Sequence, residues 1–167
     1  MLKTIVLIGM MGSGKTSVGK ELAKKLDLAF IDIDQEIEKK YKITISEIFQ
    51  TKGEFFFRKI EEKMSCELIN GNPCIISLGG GGFLNKRVRH KIEKKGISIW
   101  INTGLKQIYQ RLYKSKNKRP LLNYKNLKKS IKEIYDSRKL IYKKADYTIQ
   151  TKSDNKKTIV DKIIKKL

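Results

Sequence analysis

Apolar positions along the chain fall into two rhythms. The runs Thr4-Ile5-Val6-Leu7-Ile8, Leu28 to Asp34, Pro73 to Leu78, Ile97 to Asn102 and Asp146 to Gln150 are short and mostly apolar. Such runs predict strands, and the densest of them read as buried on both faces. Between them apolar residues recur at helical spacing: Val18, Leu22, Ala23 and Leu26; Phe57, Ile60, Met64 and Leu68; Leu105, Ile108, Tyr109 and Leu112. A longer stripe takes in Leu127, Ile131, Ile134, Tyr135, Ile141 and Tyr142, with Arg138 in its middle. Thr44-Ile45-Ser46-Glu47 is a capping box that opens a short helix, and further helices are expected over 85–95 and 158–167. Five strands alternating with helices predict an α/β domain: a five-stranded parallel sheet in a three-layer α/β/α arrangement. Sites in such sheets open at the carboxyl ends of the strands.

Three of those ends carry chemistry. After the first run comes Gly9-Met10-Met11-Gly12-Ser13-Gly14-Lys15-Thr16, which fits G-x-x-x-x-G-K-[ST] between a strand and a helix. Glycines let the backbone turn with its N–H groups inward, and the new helix adds its positive end, so the loop suits a polyphosphate. Lys15 is placed to reach the β- and γ-phosphates, and the Thr16 hydroxyl to ligate Mg²⁺. The second run ends in Asp32 and Asp34, which share one side of a strand. Carboxylates there suit a Mg²⁺-associated role, although Asp34 could also cap the helix starting near Gln35. The third run meets Gly79-Gly80-Gly81-Gly82, which costs backbone entropy unless something approaches the main chain closely.

At 167 residues and 40% hydrophobic composition the chain is one domain with its own core. No apolar run approaches the roughly 18 residues of a membrane span, and no leader pattern precedes the first strand. Cys66 and Cys74 form neither a metal pattern nor a disulfide framework, and suit a reduced, cytoplasmic protein. His90 sits among charges and is expected on a solvated helix face.

Charge is uneven. Of the net +21, residues 85–167 supply 26 Lys and Arg against 6 Asp and Glu. Scattered lysines on several helices favour solubility and some steering of anions over a nucleic-acid stripe. Only six of the 38 basic residues are Arg: Arg58, Arg87, Arg89, Arg111, Arg119 and Arg138. A chain that otherwise spends Lys uses Arg where a forked guanidinium must meet carboxylate or phosphate. Arg58 has Glu61 and Glu62 three and four positions on, which an ordinary surface pair would also explain. Arg138, on an inner stripe, needs an anion from protein or ligand.

The ordered set resembles the shikimate kinase family across essentially the whole chain. The likeness rests on Gly9 to Thr16, Asp32-Ile33-Asp34, Gly53-Glu54-x-x-Phe57-Arg58-x-x-Glu61, Gly79-Gly80-Gly81, Arg119-Pro120-Leu121-Leu122, and Arg138 ahead of Tyr142 and Ala145-Asp146. It implies a nucleoside-monophosphate-kinase-like P-loop fold that moves the γ-phosphoryl of ATP to the 3-hydroxyl of shikimate, in the synthesis of chorismate and aromatic amino acids. Under that resemblance Gly12, Ser13, Gly14, Lys15, Thr16 and Ser17 cradle ATP, Arg111 stacks on adenine, and Arg119 closes on the phosphates from a mobile lid at about 113–126. Asp34 binds the acceptor hydroxyls and assists proton removal, Arg58 and Arg138 grip its carboxylate, and Gly80 and Gly81 approach the ring. The acceptor region spans about 34–61. Thr16 and Asp32 hold Mg²⁺, and Arg87 and Arg89 are left to the surface. The expected protein is a monomer with neither nucleic acid as a primary partner nor a membrane. Two departures stand out. Gly82 lengthens the glycine run where the family has a side chain, which predicts a looser loop. Thr151-Lys152-Ser153-Asp154 lacks the proline often found near adenine.

The nearest rival is another small-molecule P-loop kinase, for gluconate or a nucleoside monophosphate, which shares the ATP half but not Asp34, Arg58 and Arg138. A GTP-dependent switch lacks its guanine-reading N-K-x-D segment, since Asn155-Lys156-Lys157-Thr158 has no acid. Nucleic-acid binding would rest on the basic half alone.

Overall fold

In a computed structural model, which describes residues 3–152 and 155–167, the chain alternates strand and helix as its apolar rhythm predicts. The elements are β1 (Thr4–Ile8), α1 (Lys15–Leu26), β2 (Ala29–Asp32), α2 (Ile33–Tyr41), α3 (Ile45–Ile69), β3 (Cys74–Ser77), α4 (Lys86–Lys95), β4 (Gly96–Thr103), α5 (Leu105–Lys114), α6 (Leu127–Tyr142), β5 (Tyr147–Thr151) and α7 (Lys156–Ile164). Short 3-10 turns lie at Gly82–Leu84 and Tyr124–Asn126. The sheet is wholly parallel in the order β2-β3-β1-β4-β5. β1 is central and its five residues are all buried. Edge strands β2 and β5 are only partly buried, so their sequences are less uniformly apolar.

Alternation along the strands divides the core. Ile5, Leu7, Ile75, Ile99 and Ile101 face Val18, Leu22 and Ala23 of α1 and Ile159, Val160 and Ile163 of α7. Val6, Ile8, Ile76 and Trp100 face the other layer, which includes Ile37, Ile48, Phe57, Val88, Ile92, Ile108, Ile131 and Tyr142. Side chains point alternately to opposite faces of a strand, so one apolar run supplies both layers.

Three expectations change in detail. The second strand stops at Asp32, and Asp34 lies in the first turn of α2. The cap is therefore Asp32, whose Oδ1 accepts from the N–H groups of Asp34 and Gln35. Thr44 and Glu47 form the expected reciprocal capping box, but the helix continues to Ile69 with a break at Gly53, where φ is 80°. Two helices thus meet at a residue whose left-handed backbone suits glycine. Gly82, expected in a looser loop, is packed rather than open. It is buried in a 3-10 turn, where an added Cβ would lie 2.8 Å from Leu78 Cγ.

Candidate active site

The predicted strand ends do converge. A cavity of about 1090 Å³ is lined by Gly12 to Ser17, Asp32, Asp34, Arg58, Gly79 to Gly81, Arg111, Arg119 and Arg138. Every nominated site residue therefore reaches one cleft, and Val18, Ser77, Leu78, Asn155, Lys156 and Ile159 add walls that the sequence did not nominate.

The phosphate end is built by β1 handing the chain to α1. Gly9, Gly12 and Gly14 take positive φ values of 141°, 74° and 96°. That backbone shape turns the loop around the N-terminus of α1, where unpaired N–H groups and the helix dipole favour an anion. Lys15 is buried, and its Nζ donates to the carbonyls of Gly9 and Met10 at 3.0 and 2.9 Å. Burial lowers its pKa to about 8, partly opposed by the nearby charges of Asp34 and Asp32. Arg111 donates from Nη1 to the Gly12 carbonyl at 3.0 Å, which ties α5 to the loop.

Thr16 donates to Asp32 Oδ2 at 2.7 Å. A hydroxyl and a carboxylate oxygen side by side suit Mg²⁺, which prefers oxygen ligands and takes few from protein when phosphates and water supply the others. No cluster of three or more His, Cys, Asp or Glu residues suited to a metal exists among the described residues.

The acceptor end is organised by the glycines. A Cβ on Gly79 would strike Glu61 Oε1 and come within 3.0 Å of Asp34 Oδ1. On Gly80 it would lie 3.1 Å from Arg138 Nη1, and on Gly81 it would strike the Arg58 guanidinium. Each bare Cα therefore makes room for a different charged side chain. Asp34 Oδ1, Glu61 Oε1 and Arg138 Nη1 are buried and lack a protein partner, so both signs of charge are presented to a ligand. Burial raises the Asp34 pKa, with Asp32 adding to it and Arg119 and Lys15 opposing.

Glu61 is where surface reasoning fails. It is 2% exposed, and its Oε2 accepts from Nη1 of the half-buried Arg58 at 2.6 Å, so the acid end of this ion pair is buried. Burial nevertheless pushes the Glu61 carboxyl up, outweighing Arg58. Glu54 holds the other side of Arg58 through Nη2 at 3.1 Å. The available signal was Glu61's place one turn beyond Arg58 on the apolar side of the helix. Arg138 is buried as its stripe position requires. Arg119 is exposed on the segment between α5 and α6, and its backbone N–H donates to Tyr124 Oη at 2.8 Å. Arg87 stays at the surface with Glu62, whereas Arg89 turns inward and donates to the carbonyls of Phe83 and Leu84. His90 is exposed beside Glu93, Cys74 is buried and Cys66 half-buried. Of the segment expected near adenine, Ser153 and Asp154 lie outside the described residues.

A P-loop facing a small pocket of two guanidiniums and a carboxylate defines a phosphotransferase for a small anionic acceptor. Comparison with known proteins narrows that class. The shikimate kinase family profile matches residues 11–167, and the chain belongs to that family. The shikimate kinase of Persephonella marina is 40% identical over 163 residues, covering 98% of both chains. That of Bartonella henselae is 39% identical over 163 residues, 98% of this chain and 77% of the relative. Among solved structures, shikimate kinase from Acinetobacter baumannii in complex with shikimate superposes with a TM-score of 0.94 at 35% identity, covering 99% of this chain and 92% of that one. Shikimate kinase from Aquifex aeolicus gives 0.84 at 32%, with 96% and 94% covered. Deoxyadenosine kinase from M. mycoides, at 16% identity and a TM-score of 0.61, shares the fold alone.

Proposed function

We propose that the chain transfers the γ-phosphoryl group of ATP to the 3-hydroxyl of shikimate, forming shikimate 3-phosphate on the route to chorismate and the aromatic amino acids. The observation that carries the reading is the placing of Arg58, Arg138 and Asp34 around the bare glycines, in the same cavity as the phosphate loop.

Arg58 and Arg138 take the acceptor carboxylate through forked hydrogen bonds, which fix its orientation as well as its position. Asp34 accepts the proton of the 3-hydroxyl as that oxygen bonds to the γ-phosphorus; the bond to the bridging oxygen breaks and ADP leaves. A carboxylate whose proton affinity is raised by burial is better matched to that task than an exposed one. Gly12 to Ser17 hold the polyphosphate, and Lys15 exchanges its contacts with Gly9 and Met10 for phosphate oxygens. Arg111 packs against the base. Thr16 and Asp32 would hold Mg²⁺, which would supply charge neutralisation for the transferring phosphoryl group. Residues 113–126 act as a lid that brings Arg119 onto the phosphates and excludes water, a competing acceptor.

Two further readings are part of the proposal: the enzyme acts in the cytoplasm, and it acts as a monomer without nucleic acid. No helix among the described residues is long and apolar enough to cross a membrane. ADP release measured over a panel of acceptors tests the central reading. Shikimate-dependent turnover is expected, and turnover on gluconate or a nucleoside monophosphate without turnover on shikimate would overturn it.

A further inference from the structure

Tyr142, the last residue of α6, is fully buried and packs its ring against Trp100 of β4 at 5.7 Å between centroids. Its hydroxyl donates to the carbonyl oxygen of Gly80 at 2.5 Å. The Gly80 it holds is itself packed against Arg138, one helical turn earlier on α6, whose Nη1 lies 3.1 Å from where a Gly80 Cβ would be. One phenol therefore joins the glycine loop, the carboxylate-binding helix and the central sheet. A buried tyrosine needs some partner for its hydroxyl, and any core carbonyl would meet that need. Here the partner is a peptide of the acceptor pocket itself.

The choice of partner has consequences at both ends of the contact. Gly80 has no side chain to hold its peptide plane. It lies between Arg138 Nη1 and the backbone N–H of Met11 in the phosphate loop, 3.1 and 3.4 Å from where its Cβ would be. A trans peptide is planar, so anchoring the Gly80 carbonyl also fixes the opposite direction for the N–H of Gly81. On the helix side, Arg138 Nη1 is buried and has no protein partner, so the guanidinium needs another constraint to stay aimed at the pocket.

We propose that Tyr142 is a positioning residue for the acceptor: its hydroxyl holds the Gly80 peptide, and Gly80 in turn abuts the Arg138 guanidinium, so the shikimate-binding wall is set before the acceptor arrives. This role rests on the reading of shikimate as acceptor. Tyr142 touches neither substrate nor the reacting atoms and acts through Gly80 and Arg138.

The test is Tyr142→Phe, which keeps the ring against Trp100 and removes only the hydroxyl. In one assay the wild-type chain is first measured with shikimate, then the variant, with KM taken separately for shikimate and ATP. The KM for shikimate is expected to rise roughly tenfold, the usual worth of a buried hydrogen bond, while that for ATP stays put. Trp100→Phe, which trims the packing but keeps the hydroxyl, lowers the melting temperature without moving the shikimate KM. A purely structural tyrosine would give the same pattern in both variants: a lower melting temperature and an unmoved KM. An unchanged shikimate KM in Tyr142→Phe, or an equal rise for both substrates, overturns the role alone. Absence of wild-type turnover on shikimate overturns the acceptor assignment and this role with it.

Discussion

Arg58 Nη1 lies 2.6 Å from Glu61 Oε2, and the whole guanidinium rests on the bare Cα of Gly81. The fork is held from below by glycine, from one side by Glu61 and from the other by Glu54, which leaves its remaining donors for a ligand. A point charge on a flexible stem cannot reproduce that geometry. Arg58→Lys should weaken shikimate binding by about 1.5–3 kcal/mol, or about 10- to 150-fold in KM, with ATP affinity unchanged. Steady-state kinetics at saturating ATP measures it. An unchanged shikimate KM would remove Arg58 from the site.

Glu61 gives a pH dependence with a defined sign. In the unfolded chain its carboxyl titrates near 4.5, and in the fold burial retains the proton to higher pH despite the pull of Arg58. The folded form thus binds the extra proton between those two values. Stability relative to Glu61→Gln should be greatest below about pH 4.5 and be lost as the pH rises through the folded pKa. Urea midpoints of both chains near that pH and at neutrality test this. A stability difference that instead grows in favour of wild type with rising pH would mean that Arg58 dominates over burial.

Lys15 sits at the other end of the cleft, with a lowered pKa of about 8 because burial disfavours its charge. A buried ammonium held by two loop carbonyls is there for its ligand more than for the fold. Lys15→Ala should therefore cost about 100-fold or more in kcat, as other removals of transition-state charge partners do. The far-UV circular dichroism and urea midpoint should be retained. Near-normal kcat would refute the assignment to the phosphates.

The sheet, the phosphate loop and Arg138 were legible because each leaves a local trace, whereas Arg111 and Arg119 were placed only by the family resemblance. Strand runs are β-branched, the P-loop has a fixed spacing between strand and helix, and Arg138 interrupts an apolar stripe. What stayed hidden depends on distances between segments remote in sequence. Nothing near Glu61 reveals that Gly79 and Gly82 pack over its carboxylate, so a surface pair remained open. Arg89 looked solvated because the carbonyls it grips belong to a 3-10 turn that no periodicity announces. The handover from strand to helix after Asp32 was blurred for a related reason: Asp32 and Asp34 fit either element, and the capping bonds decide.

Gly81 and Gly82 are neighbours whose substitution should separate function from stability. A Cβ on Gly81 would strike the Arg58 guanidinium, the far end of a flexible side chain. The shift falls on Arg58 and its contacts rather than on the backbone, and costs the fold less than a clash inside the core. Gly81→Ala should accordingly raise the shikimate KM, by about as much as losing one charged hydrogen bond, roughly tenfold or more. Its melting temperature should fall less than that of Gly82→Ala. A Cβ on Gly82 meets Leu78 Cγ and Cδ1 at 2.8 and 2.9 Å, where Leu78 is fully buried and has no room to yield. Overpacking of that kind costs about 1–3 kcal/mol. In a chain of this size that is a fall of roughly 2–12 °C in Tm. Thermal melts and shikimate kinetics on the two variants provide the comparison. A destabilised Gly81→Ala with normal KM would show that the glycine run is bare for packing alone, and that Arg58 does not depend on it.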